Sequence, residues 1–186
     1  MITTGLDKKI VVVLIILVVV IATFYLVSRW IRVREERPPE VERVPEETRS
    51  VTLYYVNREA DKLISETHEI AVEEGLEKQV NAVITELIEG PEDEGKVSSI
   101  PAGTEVLQVF WVEETQTIFL DFNRAIISNH PGGSTSEYYT IGMILRTIGA
   151  NFSQVRNVQI LVDGYPVETL AGHYAVDEPL DVLRWR

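Results

Sequence analysis

The sequence predicts an α+β domain, with a mixed, mainly antiparallel sheet carrying two helices on one face, preceded by one transmembrane helix. Three observations predict it. An uncharged apolar run fills positions 10–27, and a charged, proline-rich stretch follows it. Beyond that stretch, short β-branched and aromatic runs alternate with two segments of helical periodicity, the pattern of a sheet covered by helices.

The apolar run is broken only by Thr23. At ~1.5 Å per residue it spans ~27 Å, and with Ser28, Arg29 and Trp30 it covers a bilayer core of ~30 Å. A helix buried in a soluble protein keeps a polar stripe, and this one is apolar all round. Lys8 and Lys9 bound one end, and Arg29, Trp30 and Arg32 the other, where basic and aromatic anchors belong. A cleaved leader would have an apolar region of only ~7–15 residues ending in small side chains. This run ends in Phe24, Tyr25, Leu26 and Val27, so it reads as an uncleaved anchor. The chain has no cysteine, which excludes a lipidated cysteine, disulfides and thiolate chemistry.

The predicted organisation is a short tail (1–9), a single-pass anchor (10–30), a charged proline-rich linker (31–50) and one domain (51–186). Pro38 and Pro39 should end any continuation of the anchor helix. Residues 1–37 carry six basic and three acidic side chains, so the chain total of −12 leaves −15 for residues 38–186. Such a domain repels nucleic acid and anionic lipid, so no nucleic-acid partner is expected.

Within the domain, VTLYYV (51–56) alternates as a strand. Lys62 to Val72 reads as an irregular strand. Leu76, Val80, Val83 and Leu87 share one helical face, and Gly90 with Pro91 should stop that helix through a left-handed glycine cap. EVLQVFWV (105–112) and QTIFLDF (116–122) read as a hairpin, reached through a rigid turn containing Pro101 and Gly103. Gly132 and Gly133 precede a second helix. There Ser134 and Glu137 have the spacing of a capping box, with Tyr138, Ile141, Leu145 and Ile148 as the buried stripe. VRNVQILV (155–162) is a strand closed by the turn dipeptide Asp163-Gly164, with a short final strand expected over 166–170.

These segments resemble the GerMN (sporulation and germination) domain family over about residues 51–182. The landmarks occur in order: VTLYYVN, ELIEGP (86–91), SSIPAGT (98–104), FLDFN (119–123), GGSTSE (132–137), ILRTIG (144–149), VQILVDG (158–164) and AGH (171–173). The resemblance implies a ring-building-motif-like fold and an extracytoplasmic protein of the bacterial envelope, active through protein contacts. Its implied partners are envelope proteins, other GerMN or ring-building domains, or further copies of the chain as a homo-oligomer. One domain stands here where the sporulation members carry two, and a membrane helix stands where many have a lipid anchor.

Lysines and arginines near the helix ends, two before it and four after it, point to a cytoplasmic domain by the positive-inside rule. The resemblance implies the opposite, and the extracytoplasmic placement in the cell membrane is the expectation carried forward.

No catalytic residue, metal ligand or cofactor is expected. His68, His130 and His173 have no ligand spacing, and GGSTS around Ser134 lacks the second glycine of a nucleophile elbow. Gly132-Gly133 has no accompanying phosphate-loop lysine. Asp121 and Asp163 read as turn or surface carboxylates. The named landmarks therefore have scaffold roles: Gly90, Pro91, Pro101, Gly103, Gly132, Gly133, Ser134, Glu137, Asp163 and Gly164. A non-enzymatic interaction module is the first reading, and a ligand-sensing or peptidoglycan-binding module the second.

Overall fold

The computed structural model describes residues 8–35 and 47–185. The chain divides into two units, 1–45 and 46–186. Most of the expected tail and linker lies outside the described residues. In the first unit, helix α1 runs Lys8–Glu35. Its Val11–Trp30 stretch has mean hydropathy 3.1, so by length and composition it is long and apolar enough to cross a membrane.

The second unit contains β1 (Thr48–Asn57), β2 (Leu63–Ala71), α2 (Leu76–Glu89), β3 (Lys96–Val97), β4 (Val106–Val112), β5 (Thr117–Phe122), α3 (Ala125–Ser128), α4 (Ser134–Asn151), β6 (Asn157–Val162), β7 (Tyr165–Pro166) and β8 (Leu180–Asp181). The α+β class and the mixed, mainly antiparallel pairing are as expected. The strands divide between two sheets, ordered β2-β1-β3 and β4-β5-β6-β7, with β8 also on β6. The loop through Pro101 separates them. Among the described residues, only β5 and β6 run parallel, as the helical crossover between them requires.

One core joins the two sheets. Val51, Leu53 and Tyr55 of β1, Ile118, Leu120 and Phe122 of β5, and Val158, Ile160 and Val162 of β6 alternate inward. Val80, Val83, Ile84 and Leu87 of α2 close over them. Helix α4 is buried along most of its length rather than on one stripe. It presents Tyr139 inward, whereas Tyr138 is exposed and stacks on Trp185 at 4.9 Å between ring centroids. Ile141, Leu145 and Ile148 of the expected stripe are fully buried, and only Tyr138 departs from it, taken up at the surface by Trp185.

Three further expectations need correction. Gly90 ends α2 with φ 104° and ψ 176°, an extended glycine conformation rather than a left-handed cap. The free end of α2 is instead held by the Tyr55 hydroxyl, which donates to the Gly90 carbonyl at 3.0 Å. The expected final strand over 166–170 shrinks to β7, because Asp163 (φ 53°) and Gly164 (φ 83°) make a tight turn and the chain then leaves the sheet. The third concerns Ser134 and Glu137 and belongs to the site below.

Helix α4 is also pressed from the side by the C-terminal segment. A Cβ on Gly149 would lie 2.5 Å from Val182 Cγ1. Alanine improves intrinsic helicity by ~1 kcal/mol, but overpacking a stiff, buried valine costs ~1–3 kcal/mol. Gly149→Ala is therefore expected to lower the urea midpoint despite its better propensity.

Candidate functional site: a cleft at the start of helix α4

The loop 97–102 and the segment 129–136 face each other across a cleft of about 680 Å³. Its floor and walls include Val56, Ile100, Pro101, Pro131 and Tyr139, and its rim carries Ser98, Ser134 and Thr135. Among the described residues no charged side chain lines it, although a quarter of the chain is charged.

Both walls are fixed. Pro101 to Thr104 form a turn in which the Thr104 N–H donates to the Pro101 carbonyl at 3.2 Å, with Gly103 at φ 80° in the third position. Two asparagines hold it: Asn129 donates to the Ala102 carbonyl at 2.8 Å, and Asn123 to the Gly103 carbonyl at 2.9 Å. The Ser99 hydroxyl donates to the Ser136 carbonyl at 2.9 Å, and the Thr140 hydroxyl lies 2.7 Å from the Ser99 carbonyl. The first turns of α4 are thus tied to the opposite wall.

Gly133 is the N-cap residue, at φ 84° and ψ 143°, and no side chain caps the helix. Ser134 is exposed, and Glu137 is fully buried. The capping box is not formed. The carboxylate of Glu137 instead turns into the domain, where it accepts N–H groups from Leu170, Ala171 and His173, each at 2.9 Å. Burial alone would raise its pKa, but the N–H groups of Ala171, His173, Leu170 and Tyr174 outweigh that and hold it below its ordinary value. The loop 170–174 had more unpaired donors to offer than the single N-cap amide, so the carboxylate went there. The first bond within α4 is Glu137 N–H to Gly133 carbonyl, which leaves the N–H groups of Ser134, Thr135 and Ser136 unbonded among the described residues.

His130 stands behind the cleft. Its Nδ1 accepts the Gly132 N–H at 3.1 Å, which places the ring proton on Nε2, 3.2 Å from the Thr140 hydroxyl. Burial lowers its pKa, against a smaller opposing pull from Glu137, so the ring is a neutral structural link.

Pro101, Gly132, Gly133 and Ser134 therefore meet at the cleft, with Gly103 and Glu137 supporting its walls. Gly90 and Pro91 lie elsewhere, near a charged cluster that the sequence did not reveal. There the buried His68 ring sits between Glu86 (Nδ1 to Oε1, 2.7 Å) and Glu66 (Nε2 to Oε1, 3.0 Å), and Glu66 also accepts from Lys96 at 2.9 Å. Asp163 and Gly164 occupy the β6–β7 turn, where Asp121 accepts the Gly164 N–H at 2.8 Å and Asp163 pairs with Arg124 at 3.0 Å.

Residues 52–168 match the Germane family, described as sporulation and spore germination. The chain belongs to the Germane family. The fold of this Germane domain is similar to the tandem GerMN domains of the sporulation protein GerM from Bacillus subtilis, with a TM-score of 0.55 and 17% identity over 78% of this chain and 49% of that one. It is also similar to a Clostridium perfringens chain designated a lipoprotein, with a TM-score of 0.52 and 24% identity over 72% of this chain and 87% of that one. At these identities the likeness speaks for the fold. No curated protein matches the chain in sequence.

Proposed function

We propose that this Germane-family protein is a membrane-anchored module of the bacterial envelope, with its domain outside the cytoplasm, that acts by binding other proteins rather than by catalysis. The observation that carries the reading is the open edge of β2. Its nine residues pair with β1 alone, in unbroken register, and no described group satisfies the other side of the strand. Exposed strand edges are templates for a partner strand. Family membership and an anchor-length apolar helix support the same reading. Removing an outward donor by Ser65→Pro should reduce recovery of partners with the anchored protein, whereas Thr135→Ala in the cleft should not.

The cleft favours a second reading, in which its uncharged, hydrogen-bonding lining holds the sugar portion of a cell-wall fragment such as a muropeptide. Its volume lies within the range of ~300–1,000 Å³ usual for ligand sites. Saturable muropeptide-induced NMR shifts confined to residues 98–102 and 131–136 would favour this reading over the first.

Topology has its own test. A single cysteine introduced by Val44→Cys should react with a membrane-impermeant thiol reagent on intact cells, after permeabilisation of an outer membrane where there is one. Labelling only after lysis would place the domain in the cytoplasm, as the lysine and arginine count implies.

A further inference from the structure

The two sheets differ in how their edges are closed. Asn57 N–H to Lys62 carbonyl and Val72 N–H to Glu47 carbonyl bracket the β1–β2 ladder and fix its phase. Odd-numbered residues of β1 bond to β2, and even-numbered ones point away. Helix α4 closes that far side: Asn151 accepts the Thr52 N–H at 3.0 Å and donates to the Thr52 carbonyl at 2.7 Å, while Thr147 accepts the Tyr54 N–H at 3.0 Å. The outer side of β6 is covered by β7, β8 and a bond from Gln159 to the Val176 carbonyl at 2.8 Å. On β4 the register shifts between Val106 and Gln108. Among the described residues, β2 has none of these devices. By the same phase, Leu63, Ser65, Thr67, Glu69 and Ala71 direct their N–H and C=O groups outward, and the last four are exposed.

We propose that β2 is the docking edge for a second copy of this chain, paired antiparallel about a two-fold axis through Thr67. This names the partner for the protein-contact reading above and rests on it. Backbone groups can bond across such an axis only when outward residues face outward residues. Centring on Thr67 meets that condition along all nine residues, with Ser65 opposite Glu69 and Leu63 opposite Ala71. On the other face it sets Glu66 opposite His68 twice over, a complementary pair. A shift of the axis by one residue sets Glu66 against Glu66 or His68 against His68. A shift by two shortens the overlap and sets Ser65 against itself or Glu69 against Glu69. The Thr67 register alone combines full length with no like-charge pair. It merges two three-stranded sheets into one.

Each copy carries a net charge of −12, so pairing between free copies is weak at low ionic strength. Confinement to a membrane raises the effective concentration and favours it.

The chain has no cysteine, so single replacements report cleanly. In full-length protein in its native membrane, Thr67→Cys should be cross-linked to a covalent dimer by a thiol reagent of short span, since the paired Cα atoms lie ~5.5 Å apart. Thr52→Cys, the register partner of Thr67 one strand further in, serves as control, because its copies lie three strand spacings apart, ~14 Å. At least a tenfold excess of dimer for Thr67→Cys, lost when Ser65→Pro is added, is the expected result. Ser65→Pro removes an outward N–H and leaves the β1 ladder intact, which a retained cooperative melt would confirm. Equal cross-linking at both positions overturns the proposal. Adducts of Thr67→Cys with a different protein, without dimer, overturn the second copy as occupant and leave the protein-contact reading standing. No adduct of any kind likewise overturns the second copy as occupant, since that copy carries the same introduced cysteine.

Discussion

Replacing Glu137 with alanine is expected to destabilise the domain by about 3–5 kcal/mol, the scale for removing one partner from a buried charged network. The carboxylate is fully buried and satisfies three backbone N–H groups of the loop 170–174, at 2.9 Å each. Alanine leaves those donors without their acceptor, and each one cut off from water costs ~1–3 kcal/mol, most of all the buried Leu170 N–H. Loop opening would also release Tyr174, which packs on Tyr138 and Trp185. Glu137→Gln keeps one acceptor oxygen and should fall between. Ser134→Ala should change stability by only a few tenths of a kcal/mol, since exposed sites without a capping role contribute little. Urea unfolding of residues 46–186 measures all three. A large loss for Ser134→Ala with a small one for Glu137→Ala would restore the capping box.

The contrast between those two residues shows what the sequence made legible. Val80, Val83 and Leu87 of α2 repeat at helical spacing, and their burial follows from periodicity alone. The strands around Leu53, Leu120 and Ile160 follow from alternation. Ser134 and Glu137 were also correctly spaced for a local motif, but a buried carboxylate goes where most donors converge. Those donors come from residues 33 to 36 positions later, which no local pattern reveals. Thr147 and Asn151 were equally opaque. On a helix they read as neutral polar residues, and their bonds to Thr52 and Tyr54 arise only when β1 lies alongside. The cleft was half legible: its walls are two of the family landmarks, but their meeting depends on the path of the chain between Pro101 and Gly133.

The cluster around His68 should give the domain a stability optimum in mildly acidic solution. Burial alone would lower the His68 pKa, but carboxylates of Glu86 and Glu66 on its two ring nitrogens outweigh that and raise it above the ordinary 6.5. A raised folded value means that the contribution is fully present below pH 6.5 and is lost as pH rises through the folded value. For Glu66, burial would raise the pKa, but Lys96, the Glu92 N–H and His68 together hold it below 4.5. That contribution is present above pH 4.5 and is lost as pH falls through the folded value. The clamp is therefore complete between about pH 4.5 and 6.5. His130, whose value is lowered, acts oppositely just below pH 6.5, so the wild type alone does not isolate the clamp. The difference between wild type and His68→Gln does. It should be about 2–4 kcal/mol near pH 5.5, on the scale of a buried charged pair, and should shrink as pH rises above 6.5. A difference that is flat from pH 5 to 9 would mean that His68 is not a charged link between β2 and α2.

If the domain acts through protein contact at the β2 edge, partners must lie within reach of Thr67. A photo-cross-linking residue placed at Thr67 of the full-length protein, in its native membrane, is compared with the same residue at Thr135 in the cleft. The expected result is discrete protein adducts from position 67 and none above background from position 135. Protein adducts only from position 135, with the edge silent, would contradict it.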